Sequence, residues 1–240
     1  MRILALDTAT ERSSVAVHAE DREISRTLEG ARGQADRILV LIDEVLEGAA
    51  LTLRELDAIA ASVGPGAFTG VRIGVAVAQG LAFGANLPVI PVTTLEALAF
   101  ERLVVRASAP DEVALACLDA RMGEVYWGCY VRDVHRGVRA LAPPRVSAPG
   151  AVQVPAGHAH GGRILGIGRG FEAHRLLGNL PHLELDEAAR AAGPDARAMA
   201  RLGIIRLAAG EAVEPAALEP LYLRDRVALT VEERRAARGE

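Results

Sequence analysis

Two aspartates stand where a carboxylate could do chemistry, each at the end of a short apolar run. Asp7 follows the apolar residues 3–6, and Asp119 follows the apolar stretch 112–118. A carboxylate at a strand end can hold a metal ion with its bound phosphates, or it can simply accept hydrogen bonds from the amides of the next turn. A phosphate-binding turn also needs the close backbone approach that glycine permits, and residues 8–13 contain no glycine. The pattern favours the structural role and weakens, without excluding, nucleotide binding.

Four closely spaced glycines form a second candidate site, after an apolar strand and before a long apolar segment. They are Gly64, Gly66, Gly70 and Gly74. Such a turn can cradle phosphate with its amides, but the spacing is not G-x-G-x-x-G, and no Gly-Lys-Ser/Thr of a P-loop follows. Taken alone, the pattern favours a tight strand-to-helix turn, with Arg72 just inside the helix to meet an anion or a partner's carboxylate.

The histidines and cysteines form no metal or nucleophile motif. His158 and His160 are the one close histidine pair, whereas zinc sites use three or four ligands at characteristic spacings. Cys117 and Cys129 make no C-x-x-C pair and no disulfide framework, which is typical of buried thiols in a reducing compartment. The sequence therefore predicts no catalytic constellation, metal site or cofactor.

The composition indicates a folded, mildly acidic protein. Half of the 240 residues are hydrophobic, enough for one compact protein of two smaller lobes. The formal net charge is −4, and no lysine occurs. Because the longest basic run is Arg234-Arg235 and only 3% of residues are aromatic, we expect the chain alone to bind nucleic acid weakly. A role inside a larger nucleic-acid complex stays open.

The apolar segments are too short or too broken for a membrane protein. Asp7 interrupts the first apolar run earlier than in a signal peptide. The most apolar stretch, 73–92, contains Gln79, Asn86 and two prolines, whereas a membrane-spanning helix needs roughly 20 apolar residues. We therefore expect a soluble cytoplasmic protein.

The elements that must position these residues occur twice. A strand, an aspartate, a turn and two more strands are predicted at 3–28 and again at 113–141. A repeat of this size predicts two α/β lobes of one topology. A Ser-Ala-Pro-Asp segment separates an N-terminal lobe at 1–108 from a C-terminal lobe at 109–240, which has less helix and a long loop at 143–162.

Two predicted helices are more apolar than a monomer surface requires. The first, at 34–47, has an amphipathic stripe at i, i+3, i+4 and i+7. The residues that widen this stripe are Leu39, Val40 and Leu46. The second, at 71–83, is rich in small residues that let another helix approach, and Thr69 is its expected N-cap. The surplus predicts a second contact, within the chain or with a partner. Thr94 is expected to cap a further helix.

The stretch 64–74 reads Gly-Pro-Gly-Ala-Phe-Thr-Gly-Val-Arg-Ile-Gly and closely resembles the signature of the TsaB (YeaZ) family, G-P-G-S-F-T-G-L-R-I-G. Two further segments agree, 3–10 and 220–224, and the likeness runs over nearly the whole chain in the right order. The departures from the family pattern are Ala67, Val71 and Gln34.

The resemblance implies an actin-like (ribonuclease H-like) α/β fold duplicated into two lobes. It implies a role in forming N6-threonylcarbamoyladenosine at position 37 of tRNAs that read codons starting with A. In that family a metal-bearing paralogue, TsaD, performs the transfer, the TsaB-like subunit pairs with it, and a small ATPase, TsaE, joins them. The implied protein is a subunit without catalytic residues, nucleotide site, metal or cofactor. It meets tRNA only through the complex and can pair with a second copy when alone.

One segment can be compared directly with that paralogue. TsaD carries two metal-binding histidines, spaced H-x-x-x-H on a helix after a Pro-Val pair. This chain keeps Pro91-Val92 but has Thr94 and Leu98 at the two ligand positions. Because neither side chain has the imidazole nitrogen that a transition metal prefers, the resemblance implies that metal-dependent chemistry is absent.

The resemblance also implies that the two apolar helices form the surface that meets the paralogue. The residues expected there are Arg37, Leu41, Val45, Phe68, Arg72, Val75 and Gln79. Burying about 1,600 Å² in total would explain the apolar surplus. Leu41→Glu or Val75→Arg is then expected to abolish pairing and leave the monomer folded. Two alternatives stay open: an autonomous actin-fold enzyme, such as an ATP-dependent kinase or a metallopeptidase, and a general interaction module without a tRNA role.

Overall fold

Short apolar runs form the strands of two mixed β-sheets, one in each half of the chain. The structure, a computed structural model, describes residues 1–20, 22–30, 34–155 and 163–224. The strands of the first sheet are β1 (Arg2–Asp7), β2 (Arg12–Ala19), β3 (Arg22–Glu29), β4 (Ala58–Ser62) and β5 (Val89–Val92). The strands of the second sheet are β6 (Val113–Arg121), β7 (Glu124–Asp133), β8 (Gly137–Ala140), β9 (Arg145–Ser147), β10 (Ile164–Ile167) and β11 (Leu183–Glu184).

The two sheets share one topology. The first has the order β3-β2-β1-β4-β5, in which β1 is antiparallel to β2 and parallel to β4. The second repeats it as β8-β7-β6-β10-β11, with β6 antiparallel to β7 and parallel to β10. The short strand β9 is an addition that pairs with β7. The predicted duplicated, two-lobed α/β fold of the actin-like type is confirmed.

Within the described residues, six α-helices cover the sheets. They are α1 (Gln34–Ala49), α2 (Phe68–Ala85), α3 (Thr94–Phe100), α4 (Gly170–Ala173), α5 (Glu187–Arg190) and α6 (Ala196–Ala208). A π-helical turn, Glu101–Val105, prolongs α3. Because side chains alternate along a strand, β1 sends Leu4 and Leu6 towards α1 and α2, and Ile3 and Ala5 towards α6.

The two lobes share a core. Helices α3 and α6 pack against each other, with α6 against the first sheet and α3 against the second. Their apolar side chains form one buried cluster with residues of both sheets, including Ile3 of β1 and Ala116 of β6. Helix α6 comes from the second half of the chain but packs on the first sheet. The predicted boundary between the lobes at 108/109 therefore stays a prediction.

Several predicted boundaries change in the structure. Helix α2 begins at Phe68 with Ala67 as its N-cap, so the prediction of Thr69 as the cap is wrong. Helix α3 is capped by Thr93, whose hydroxyl accepts from the Glu96 N–H, so Thr94 is its first helical residue. Strand β6 continues past Asp119, and β9 lies inside the predicted loop 143–162.

Helix α2 is long and apolar enough to cross a membrane by length and composition alone. One face, however, is buried against the first sheet, and its buried residues are Gly70, Val71, Gly74, Val75, Ala78 and Ala82. Core helices of folded proteins pass the same test, and the buried face of α2 belongs to the core of the first lobe.

Candidate functional site

Asp7 ends β1, and its carboxyl group is completely buried. One carboxyl oxygen accepts a hydrogen bond from the Ala9 N–H at 3.4 Å, and the other, Oδ2, has no hydrogen-bond partner among the described residues. Burial raises the pKa of Asp7 to about 7, although the Ser62 hydroxyl and the Ala9 amide lower it in part. The bond to Ala9 is the structural role that the sequence favoured.

Asp119 holds the matching position in the second lobe. Its Oδ1 accepts a hydrogen bond from the Arg121 N–H at 2.9 Å and lies 3.3 Å from Nε2 of His174. The Arg121 guanidinium lies 3.2 Å from its other oxygen, so the carboxylate is paired within its own hairpin. No group of three His, Cys, Asp or Glu in the described ranges could hold a metal ion. His158 and His160 lie outside the described residues.

A cavity of about 540 Å³ separates the lobes at this level. Residues 9–11 of the β1–β2 turn line one side, and 118–121 and Arg169 line the other. Arg121 reaches across and pairs with Glu11 of the first lobe at 2.5 Å. Because both acidic and basic side chains line the cavity, its described lining has no concentrated charge of one sign to attract phosphate or a metal ion.

The chain's own β1–β2 turn fills the glycine-rich loop. The Ala67 N–H donates to the Ala9 carbonyl oxygen at 2.7 Å. A Cβ added to Gly66 would lie 2.1 Å from that oxygen, and one added to Gly74 would lie 2.5 Å from Oγ1 of Thr8. These glycines therefore let the turn pack on the start of α2, as expected for a tight strand-to-helix turn. The Ala67 amide is already bonded and is not free for a phosphate.

Three exposed side chains, two from the start of α2 and one from the C-terminal segment, meet at the mouth of the cleft. The Arg72 guanidinium carbon lies 3.6 Å from the centroid of the Phe68 ring, and Arg72 Nε donates to the Tyr222 hydroxyl at 2.8 Å. The two ring centroids are 5.9 Å apart. A second cavity, of about 240 Å³, extends from this cluster to Met122 of the second lobe. This cluster links the Gly64–Gly74 segment to residues 220–224, two of the segments that resemble the family.

The residues predicted for the interface differ in their solvent exposure. Leu41, Val45 and Val75 lie in the core of the first lobe, with 7%, 0% and 5% of their surface exposed. The i, i+3, i+4 stripe faces the chain's own sheet, so direct contact with a partner is no longer expected for these three residues. The expectation that Leu41→Glu or Val75→Arg leaves the monomer folded does not hold either, because each substitution buries an unpaired charge.

The other predicted interface residues lie outside the core or at its edge. Arg37, Phe68 and Arg72 are exposed. Gln79 is half-buried, and its side-chain amide donates to the carbonyl oxygens of Pro215 and Leu218. Gln79 therefore holds the C-terminal segment against α2. Arg37 belongs to α1, whereas Phe68 and Arg72 lie at the start of α2.

The predicted interface residues leave out three exposed apolar residues of the helix pair. Leu39 and Val40 of α1 are 47% and 53% exposed, and Phe83 of α2 is 84% exposed. The signal was present, since Leu39 and Val40 widen the amphipathic stripe. Periodicity, however, identifies the buried face of a helix and does not say which of the remaining residues meet a partner.

The positions that correspond to the paralogue's metal ligands belong to the core of this chain. Oγ1 of Thr94 lies 3.1 Å from Oγ of Ser62, and the Leu98 side chain is 1% exposed within the cluster between the lobes. The thiols are also buried: burial raises the pKa of Cys129 to about 12 and that of Cys117 well above its ordinary value. None of these four groups opens onto the cleft as a catalytic residue would.

Comparison with known proteins identifies close relatives over the full architecture. A family model described as "TsaD: tRNA N6-adenosine threonylcarbamoyltransferase" matches residues 28–162, more than half of the chain. The chain is 36% identical over 233 residues to the tRNA threonylcarbamoyladenosine biosynthesis protein TsaB of Escherichia coli K12, covering 95% of this chain and 96% of that protein. The protein of the same name from Haemophilus influenzae is 33% identical over 234 residues, with 95% of each chain covered.

Solved structures give the same result. The structure of YeaZ from Pseudomonas aeruginosa superposes with a TM-score of 0.82 at 37% identity and covers 92% of this chain and 99% of that one. A second crystal structure, described as similar to peptidase YEAZ and also from Pseudomonas aeruginosa, gives a TM-score of 0.83 at 38% identity, covering 93% and 99% of the two chains. The similarity thus extends through both lobes.

Proposed function

Since this chain belongs to the TsaB family, we propose that it is a subunit of the machinery that forms N6-threonylcarbamoyladenosine in tRNA. The observation that carries the proposal is its similarity to named TsaB proteins over nearly the whole length of both chains. The match to the YeaZ structure, which also spans both lobes, supports the same role.

We infer that this subunit does not itself catalyse the transfer. The two positions that bear metal ligands in the paralogue hold a hydroxyl and an isobutyl group, and both are in the core. The carboxylates of Glu11 and Asp119 at the cleft are paired with Arg121. The Ala67 amide, at the start of the glycine-rich helix, is bonded to the chain's own turn. These features support a role in binding and stabilising a catalytic partner.

The proposed partner is the TsaD-type catalytic paralogue, in the cytoplasm. In the proposed assembly a TsaE-type ATPase joins the pair, and tRNA is reached only through the complex. The net charge of −4 supports indirect contact with tRNA, because nucleic-acid affinity depends on clustered positive charge. When the catalytic paralogue is absent, the same surface pairs two copies of this chain.

The proposed contact is the exposed face of α1 and α2, here called the helix-pair surface. It consists of Arg37, Leu39, Val40, Gly80, Phe83 and Gly84. A Cβ added to Gly80 or Gly84 would meet no atom within 4 Å, so the backbone of α2 is open to close approach by a partner helix. Large apolar side chains beside small residues are suited to helix–helix packing, since the large groups of one helix fit above the small groups of the other.

The proposal is tested by nucleoside mass spectrometry of tRNA from cells depleted of this protein. We expect depletion to remove N6-threonylcarbamoyladenosine and the wild-type gene to restore it. Val40→Glu with Phe83→Glu should fail to restore it, because the two charges would be buried in the interface. Val134→Glu is the matched control, since Val134 is 92% exposed and lies in the β7–β8 turn of the other lobe. A normal level of the modified nucleoside in depleted cells would refute the role.

One observation favours a second function, an autonomous enzyme of the actin-like type. The cleft cavity of about 540 Å³ has a volume typical of small-molecule sites, which are roughly 300–1,000 Å³. The test is ATP hydrolysis by the purified chain, together with its content of bound divalent metal. Turnover that survives Val40→Glu and Phe83→Glu would favour the enzyme, because an autonomous active site does not need the helix-pair surface.

A further inference from the structure

Residues 220–224 cross the mouth of the cleft, and their first half is fixed to the first lobe. The Leu221 N–H donates to the Val63 carbonyl oxygen, just after β4, at 2.7 Å. The Leu221 side chain packs against the first-lobe core, and a Cβ added to Gly64 would lie 3.3 Å from the Leu221 carbonyl oxygen. The Gly64–Gly74 loop and this segment therefore pack directly on each other.

Tyr222 adds a second contact with the first lobe. Its hydroxyl accepts a hydrogen bond from Arg72, which itself stacks on Phe68 at 3.6 Å. An arginine that stacks on a ring and donates to a second group is held in one orientation, so little side-chain freedom is left to it. Leu221 and Tyr222 thus attach the segment to the end of β4 and the start of α2.

The last described residue of the segment is bound to the second lobe instead. Arg224 Nη2 donates to the Ala120 carbonyl oxygen at 3.0 Å and to the Glu124 carboxylate at 2.5 Å. Its Nη1 lies 3.6 Å from the Met122 sulfur. All three contacts are with the β6–β7 hairpin, and the Arg224 side chain is only 16% exposed.

A second link crosses the cleft nearby, but it is weaker. Glu11 and Arg121 pair across the opening with 60% and 71% of their side chains exposed. Exposed ion pairs contribute about 0–1 kcal/mol because water screens them and the side chains lose freedom. Arg224 is largely buried and makes three contacts, so residues 220–224 form the firmer connection.

We propose that residues 220–224 form a strap that fastens the β6–β7 hairpin to the first lobe and so sets the opening of the cleft. The lobes are joined at the base of the cleft by the shared core of α3 and α6, and the strap joins them at the mouth. A link at the mouth restrains rotation about the base more strongly than one near the axis. Releasing the strap at Arg224 therefore opens the two cavities beneath it.

The strap is tested by measuring the distance between the lobes with a pair of spin labels. The labels are placed on cysteines introduced at the exposed Asp43 of α1 and Leu176 of the second lobe. The native thiols, Cys117 and Cys129, are 0% and 3% exposed and will not compete for the label. Arg224→Ala is expected to shift the distance distribution to longer values and to broaden it. Glu124→Gln removes the same ion pair from the other side and should act in the same direction.

Two controls separate a strap from a local contact. Arg54→Ala removes an exposed arginine at the opposite end of β4 and should leave the distance unchanged. The reversed pair, Arg224→Glu with Glu124→Arg, should restore part of the wild-type distance. If Arg224→Ala and Glu124→Gln speed amide exchange only within 220–224 and leave the distance distribution of the folded protein unchanged, the strap is refuted. That result would leave the proposed function untouched, since the strap does not depend on it.

Discussion

The buried carboxyl group of Asp7 makes the stability of the folded state depend on pH. Burial raises its pKa from 3.8 to about 7, so the folded protein binds this proton more tightly than the unfolded chain does. Stability from this group is complete below about pH 4, falls as the pH rises to about 7, and is constant above that. The difference amounts to at most about 4 kcal/mol.

Asp7→Asn should therefore stabilise the protein, and increasingly so as the pH rises. Asparagine keeps the size of the side chain but cannot ionise, so the penalty disappears from the variant alone. Urea unfolding of both proteins at about pH 5 and about pH 8 measures the effect, because titrations of other groups cancel in the difference. If the difference in stability between the two proteins does not change with pH, ionisation of Asp7 does not destabilise the folded state, and the prediction is wrong.

Gly66 gives a second prediction at the residue scale. Gly66→Ala places a methyl group against the Ala9 carbonyl oxygen, which must move, and we expect a loss of about 2–3 kcal/mol in the free energy of unfolding. Gly80→Ala is the matched control in the same segment, since its methyl group meets nothing within 4 Å. Alanine favours helix over glycine by about 1 kcal/mol, so this control should be stabilised. Equal effects of the two changes in denaturant unfolding would contradict the close packing.

At the scale of elements, α3 and α6 are joined by a largely buried ion pair. Arg206 of α6 lies 2.8 Å from the Glu96 carboxylate, with 5% and 17% of the two side chains exposed, and donates to the Pro91 carbonyl oxygen. Burial alone raises the pKa of Glu96, but the Arg206 charge and hydrogen bond, with the bonds from Thr93, leave it below its ordinary value. Stability from this carboxylate is thus present above about pH 4.5 and lost as the pH falls through its folded pKa.

Arg206→Met should destabilise the protein by about 3–5 kcal/mol, because it leaves Glu96 charged and without its partner in the core. Adding Glu96→Gln to that variant should recover most of the loss, since no buried charge then remains. Thermal and urea unfolding at neutral pH measure both. If the double variant is no more stable than Arg206→Met, the unpaired charge of Glu96 is not the cause of the loss.

The elements also show what the sequence could predict and where it stopped. The repeat could be predicted from Asp7 and Asp119, because the residues that form a turn after a strand are neighbours in the sequence. The contacts that Tyr222 and Arg224 make with residues 72 and 124 are separated by 150 and 100 positions and leave no periodic trace. The β9 strand was missed because Arg145–Ser147 is too short for alternation to register. Periodicity predicted the core face of α1 correctly, whereas the family resemblance implied a partner contact at Leu41, which is only 7% exposed.

At the scale of the whole molecule, duplication explains why a cleft forms between the two lobes. Two copies of one topology meet through α3 and α6 and leave an opening at the ends of β1 and β6. In this chain Arg121 pairs with the Glu11 and Asp119 carboxylates at that opening, and the β1–β2 turn fills the glycine loop. A second group of exposed apolar side chains, Leu39, Val40 and Phe83, lies on α1 and α2 of the first lobe.

These exposed side chains lead to a prediction about assembly. If one helix-pair surface serves both self-pairing and the catalytic paralogue, the two associations must exclude each other. The isolated chain should sediment as a dimer at high concentration, and adding the paralogue should convert it to a 1:1 pair by mass action. Val40→Glu with Phe83→Glu should abolish both species, and Val134→Glu neither, because Val134 lies in the second lobe. A mixed complex that contains the paralogue and two copies of this chain paired through α1 and α2 would contradict the prediction. It would show that self-pairing and pairing with the paralogue use separate surfaces.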